Sequence, residues 1–255
     1  MAVSKKVSDR IVQQLKKYQP ILSDAQDRDI SESDTVVIIA DMLADILGYN
    51  KYTEITTEFA IRGTYVDLAV KVGADVRFLI EVKAIGVALK DSHIKQALDY
   101  GANHGVEWVV LTNGAIWQIY KIHFHKPIDK SLIFQTDLLQ KNVRNQQLIE
   151  CFGNLSREGF TQSSMTAFYQ RQQVTSKFSI AAVLTSPPML QALKRELRHI
   201  GGNIKIQVDQ LKAQLQNEVL KRETVDGEEA KQAADFLKQA AKSVAKSKTK
   251  KEAKA

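Results

Sequence analysis

Asp67, Glu81 and Lys83 are the residues of this chain whose types and spacing can do chemistry. They lie in TYVDLAVKVGADVRFLIEVK, two runs of alternating apolar and polar residues around Gly73, which read as a β-hairpin. A turn centred on Ala74 pairs residues whose numbers sum to 148, so Leu68 meets Ile80, Val70 meets Phe78, and Asp67 falls opposite Glu81. Opposed residues share a sheet face with Cβ atoms roughly 4.5 to 5.5 Å apart, and Lys83, two residues beyond Glu81, lies on that face as well. Val66, Leu68, Ile80 and Val82 fill the other face. At about 5 Å and an effective dielectric near 20, the two carboxylates repel by about 3 kcal/mol, and a lysine head roughly 6 to 7 Å away returns only part of that. A divalent cation would settle the balance. Oxygen ligands of this kind select Mg²⁺ or Mn²⁺ over zinc, and the backbone carbonyl of Val82 could complete the protein's share. Held near such a metal, Lys83 could orient or deprotonate an attacking water, or offset charge growing on a phosphoryl oxygen. That is the chemistry of phosphodiester hydrolysis. The plain alternative is an exposed strand face carrying a Glu–Lys ion pair. A one-residue slip in register would carry Asp67 to the opposite face and remove the site.

The elements that must hold these residues are legible as patterns. SESDTVVIIADMLADILGY is the first stretch with clear helical period; Ser31, Ser33 or Asp34 can cap it, Gly48 can end it, and Val36, Ile39, Leu43 and Ile46 face inward. EITTEFAIRGTYVDLAVKVGADVRFLIEVKAI follows as two or three antiparallel strands with turns at Gly63 and Gly73. Residues 88 to about 103 return to a helical period and stop near Gly101 to Gly105. EWVVLTNGAIWQIYKI predicts a hairpin whose two-residue turn is Asn113-Gly114, residue types that tolerate positive φ, and SLIF at 131 to 134 adds a strand. Past residue 136 the pattern is almost wholly helical, with SSMTAFYQRQQV, then a helix opened by Ser186-Pro187 and closed by Gly201-Gly202, an extended NIKIQ, and VDQLKAQLQNEVLKRE. The prediction is an α/β chain: a mixed β-sheet flanked by helices over 1–136, a helical domain over 137–222, and a helical to disordered lysine-rich tail over 223–255.

The order helix, Asp strand, E-x-K strand, Gln-bearing helix, strand resembles the PD-(D/E)xK nuclease superfamily, with a restriction-endonuclease-like fold. SESDT, LGY, VDLAV, IEVKA, QALDY and VVLTNGAIWQIY, spread over roughly residues 30 to 122, resemble more narrowly the N-terminal nuclease domain of type I restriction enzyme R subunits and its stand-alone relatives. The resemblance implies that Asp67 and Glu81 are metal ligands and Lys83 the catalytic lysine. It also implies that Gln96 and Tyr100, which match a Q-x-x-x-Y motif of the superfamily, attend the reaction; at i and i+4 they share a helix face, though they could equally be a helix-to-sheet packing pair. Glu32 sits where such enzymes often place a further metal-binding acid, with Asp41 or Asp45 as substitutes. Val66 stands where the superfamily's naming proline falls, and that proline contributes no ligand.

The net charge of +7 points to nucleic acid only until it is located. Residues 242–255 hold six lysines against one glutamate, so +5 sits in the tail and the other 241 residues carry +2. Such a tail can add salt-sensitive phosphate binding or simply be solvated. Arg62, Lys71, Lys90 and Lys95 could meet phosphates near the site. Trp108, Trp117 and Tyr120 could stack on bases but fit core positions better, and His123 with His125 lacks a third ligand for a soft metal. Cys151, the single cysteine, reads as a packing residue. The absence of an apolar leader and of any stretch of about eighteen apolar residues argues for a cytoplasmic protein with no membrane partner, and without a phosphate loop ATP-driven movement would need another chain. The expectation is a Mg²⁺- or Mn²⁺-dependent endonuclease acting on DNA in restriction, defence or repair, as a possible homodimer with a protein partner supplying specificity or motor activity. The alternatives are a nuclease-fold protein that binds nucleic acid or a partner without cutting, and a purely structural role.

Overall fold

The computed structural model describes residues 3–61, 64–124, 128–161, 164–202, 204–238 and 240. Arg62, Gly63, His125 and the lysine-rich stretch 242–255, all singled out in the sequence, lie outside the described residues. The chain divides into two compact units, Met1–Phe168 and Tyr169–Ala255.

The first unit opens with a helix that the sequence reading passed over. α1 (Lys5–Asp27) buries Val7, Ile11, Leu15, Tyr18, Leu22 and Ala25, spaced by three or four residues, and Ser4 caps it by accepting a bond from Val7 N. α2 (Glu32–Asp45) starts at Ser31, whose hydroxyl accepts from Asp34 N, and buries Thr35, Ile39, Met42 and Leu43. Val36, expected inside, is only half-buried. The end of α2 is capped from outside the helix. Arg10 donates to the carbonyls of Ile46 and Leu47 at 3.1 and 3.2 Å and grips Glu158 with two further bonds. Gly48 has φ +82°, and a Cβ there would lie 2.9 Å from the Arg10 guanidinium, so both conformation and space call for glycine.

The sheet has six strands in chain order: β1 (Ile55–Ile61), β2 (Thr64–Val72), β3 (Asp75–Val82), β4 (Trp108–Thr112), β5 (Ile116–His123) and β6 (Asp129–Asp137). All neighbours are antiparallel except β3 and β4, which run parallel. Their crossover carries a short 3₁₀ turn (Asp91–Ile94) and α3 (Lys95–His104), the latter closed by Gly105 at φ +72°. The turn and α3 together pack Ile94, Ala97 and Tyr100 onto Ala69, Leu79, Val109 and Leu111.

The β2–β3 hairpin has the expected register at the site and a different turn. Leu68 pairs with Ile80 and Val70 with Phe78, as a sum of 148 requires. Nearer the turn Val72 pairs with Asp75 and Lys71 with Val76, a register one residue shorter. The turn is therefore the two-residue Gly73-Ala74, with Gly73 at φ +66°, and a bulge that leaves Arg77 as the extra residue of β3 restores the sum. The β4–β5 turn also differs from expectation. Thr112 pairs with Trp117 and Asn113 N bonds Ile116 O, so the central residues are Gly114, at φ +88°, and Ala115, while Asn113 keeps a negative φ.

The first unit runs on to Phe168, past the division expected at 136. α4 (Gln146–Leu155) buries Cys151, Phe152 and Leu155 and sets Phe152 against Trp117 at 5.3 Å between ring centres. In the segment after it Arg157 clasps both oxygens of Glu54, and Tyr49 donates to Leu155 O. Trp108, Trp117 and Tyr120 are buried, as core positions require.

The second unit is helical. It takes in the end of α6, after α5 (Arg157–Thr161) and α6 (Ser164–Val174), then α7 (Lys177–Leu184), α8 (Pro187–Ile200) and α9 (Val208–Gln214). The segment expected as one helix from Val208 passes into a π turn at Leu215–Val219 and resumes briefly as α10 (Arg222–Val225). Among the described residues no helix is long and apolar enough to cross a membrane.

Candidate active site

Beyond Leu68 and Ile80 the carboxylate of Asp67 takes over from the strand ladder, accepting Val82 N–H at 2.7 Å. Parity along the strands puts Asp67 with Ala69, and Glu81 with Leu79, on the face that α3 covers. Lys83 follows β3, its N–H held by Thr112 O, and its ammonium reaches back to Glu81 Oε1 at 2.9 Å. The same ammonium lies 3.5 Å from Glu32 Oε2 at the first residue of α2. Four of the residues named from the sequence thus meet in one cluster: Glu32, Asp67, Glu81 and Lys83.

The cluster is electrostatically tense. Glu81 is 5% exposed, and burial, with the neighbouring Asp67 carboxylate adding to it, pushes its carboxyl up to about 7 despite the Lys83 hydrogen bond. Burial also raises Asp67, against the lowering effects of the Val82 N–H and Lys83. For Lys83 burial works against the charge, but the bond to Glu81 and the surrounding carboxylates outweigh it and the ammonium is held above its ordinary value. Glu81 Oε2 is buried with no hydrogen-bond partner among the described residues. A buried acceptor of this kind, next to a second carboxylate, fits a hard divalent cation. The fit extends to two carboxylates. Among the described residues no group of three or more His, Cys, Asp or Glu is arranged to hold a metal, and Glu32 meets the cluster through Lys83.

The raised Glu81 carboxyl predicts a pH-dependent stability. Because it is protonated more readily in the folded chain than in the unfolded one, its contribution is complete below the ordinary carboxylate range and is lost as pH rises through about 7. Chemical denaturation in metal-free buffer should therefore show wild type losing roughly 2 kcal/mol relative to Glu81→Gln between pH 4 and pH 8. A constant difference across that range would contradict the assignment.

The remaining residues named from the sequence fall elsewhere. Gln96 is exposed on the first turn of α3, and Tyr100 faces the core, edge-on to Phe59 and stacked on His104. Neither shares a hydrogen bond with the cluster among the described residues. Asp45 takes bonds from Lys17 and Tyr18, and Asp41 pairs with Lys51, so neither substitutes for Glu32. Lys71 lies over the Phe59 ring, and His123 bonds Ser131.

Asn113 has a role that its reading as a turn residue missed. Its side chain, 3% exposed, donates to Ile85 O and Val87 O and accepts from Ile116 N. It thereby ties the segment just after Lys83 to the β4–β5 turn. The nearest sequence signal was the T-N-G triplet, whose turn chemistry alone explained Asn-Gly.

A mixed sheet with flanking helices, presenting Asp67 from β2 and Glu81 from β3 on one face with Lys83 just after β3, defines an α/β fold. Residues 38–131 match the family model for the type I restriction enzyme R protein N terminus. This segment bears out the resemblance seen over roughly 30 to 122; it contains Asp67, Glu81, Lys83, Gln96 and Tyr100 and begins after Glu32. No curated protein and no solved structure matches the chain.

Proposed function

We propose that this protein is a metal-dependent endonuclease that hydrolyses DNA phosphodiester bonds, in restriction, defence or repair, and works in the cytoplasm. The observation that carries the reading is a buried Glu81 Oε2 with no hydrogen-bond partner among the described residues, beside Asp67 and Lys83. Asp67 and Glu81 would hold Mg²⁺ or Mn²⁺, with the Val82 carbonyl completing the donors and Glu32 available at the rim. Bound there, the ion supplies charge at the scissile phosphate and lowers the pKa of a coordinated water. Lys83 orients the attacking water or neutralises the phosphoryl oxygen, its ammonium aimed by Glu81 and Glu32. Gln96, exposed on the first turn of α3, is assigned to the substrate phosphate, and Tyr100, in the core one turn on, to holding that end of α3 against the sheet. Partner chains belong to the same reading: a second copy to cut the other strand, and a protein that supplies specificity or ATP-driven movement.

The test is incubation of supercoiled plasmid with purified protein in Mg²⁺, Mn²⁺ or EDTA. Nicking should require the metal and be absent from Glu81→Ala; nicking that persists in that variant would place the activity elsewhere. A second reading, binding without cleavage, is favoured by the lack, among the described residues, of three acids arranged to hold a metal, and by the engagement of Lys83 with two acids. DNA binding in Ca²⁺ together with inertness in both Mg²⁺ and Mn²⁺ would select it.

A further inference from the structure

In the second unit, α8 carries two adjoining stripes. Leu190, Leu193 and Leu197 recur at helical spacing, with Leu190 buried and the other two half-buried. Beside them Gln191, Lys194, Arg195, Arg198 and His199, at i, i+3, i+4, i+7 and i+8, form one polar, cationic stripe along the helix. The helix carries a single acid, Glu196, and it pairs with Arg195 at 3.1 Å. Among the described residues Lys194 and Arg198 have no acidic partner. Attraction to the helix's carbonyl end accounts for cations in its last turn, where Arg198 and His199 stand. It does not account for Lys194 and Arg195, a turn further back.

We propose that this face of α8 binds the phosphate backbone of duplex DNA without regard to sequence. From Gln191 to His199 the helix advances about 12 Å, long enough for its cations to meet more than one phosphate of a strand. Arginine forks and a lysine point charge suit phosphate oxygens, and Gln191 and His199 can add further hydrogen bonds. The choice of polyanion rests on the nuclease reading; the surface itself does not.

The test is fluorescence anisotropy of a labelled duplex titrated with the full chain in EDTA, over a range of salt concentrations, so that binding is read without cleavage. The triple variant Lys194→Gln/Arg195→Gln/Arg198→Gln should bind roughly tenfold or more weakly, and its log–log salt slope should fall by between about 2 and 3. A control with the same charge loss, Lys5→Gln/Lys6→Gln/Lys16→Gln on exposed positions of α1, should keep the wild-type slope. Equal behaviour of the two variants, including absence of binding by either or by wild type, would overturn the proposal. So would tighter binding of a single-stranded RNA of the same length. Failure of the nuclease reading appears as absent nicking and leaves this measurement unchanged. Circular dichroism of the triple variant should match wild type, since glutamine is a good helix former.

Discussion

Replacing Lys83 by alanine should slow metal-dependent plasmid nicking by roughly 10²- to 10⁴-fold, the range that a positioned proton-transfer group contributes. Two losses combine in one substitution. The reaction loses the cation that would meet the water or the phosphoryl oxygen. Glu81, already raised to about 7 by burial and Asp67, loses the hydrogen bond that opposes them, and a protonated carboxyl is a poor metal ligand. Raising the pH should therefore recover part of the activity of Lys83→Ala, while the part that depends on the ammonium stays lost. Lys83→Arg should recover little, because a planar fork cannot reproduce a compact ammonium seated 2.9 Å from Glu81 and 3.5 Å from Glu32. Nicking by Lys83→Ala within about tenfold of wild type, with an unchanged thermal melt, would remove Lys83 from the chemistry.

The register behind that prediction was legible, and its cause was not. Alternation alone puts Asp67 and Glu81 on one face if the pairing sum is 148, and the strands obey it at Leu68–Ile80. The turn obeys a different rule. Gly73 supplies positive φ for a tight two-residue loop, which by itself would give a sum of 147 and set Asp67 opposite Ile80. The bulge at Arg77 shifts the register back. Nothing in the local sequence marks it: Val76, Arg77 and Phe78 read as an ordinary strand. Bulges answer to the packing of the whole sheet, and here the bulge aims the two carboxylates.

Other misses have simpler physical sources. The apolar spacing of α1 was present in Val7, Ile11, Leu15, Tyr18 and Leu22, but three lysines and arginines and Pro20 lie among them, and short windows weigh those more than the stripe. The long reach of the first unit depends on contacts distant in sequence: Arg10 with Glu158, Glu54 with Arg157, Trp117 with Phe152. Composition changes at residue 136 and packing does not. The approach of Glu32, the first residue of α2, to Lys83 at 3.5 Å is likewise a contact that no spacing encodes.

Asn113→Ala should destabilise the protein by about 2 to 4 kcal/mol and weaken cleavage without touching the cluster. The side chain satisfies three backbone groups at once: the carbonyls of Ile85 and Val87, at 3.0 and 3.1 Å, and the N–H of Ile116 at 2.7 Å. Each such group left unpaired in a dry site costs about 1 to 3 kcal/mol, and partial relaxation keeps the total below the sum. The released segment begins one residue after Lys83, and Gly86 within it fits so closely that a Cβ would lie 2.4 Å from Asp29 Oδ1. Slackening there should spread to the lysine, which needs a fixed position more than it needs charge, and cleavage should fall by roughly tenfold or more. Asn113→Asp separates packing from hydrogen bonding: it keeps the volume and the acceptor for Ile116 but sets a carboxylate against two carbonyls. Urea denaturation should rank it at or below Asn113→Ala. Wild-type stability in both variants would mean that the 84–87 segment holds itself, and that the geometry of Lys83 is set by Glu81 and Glu32 alone.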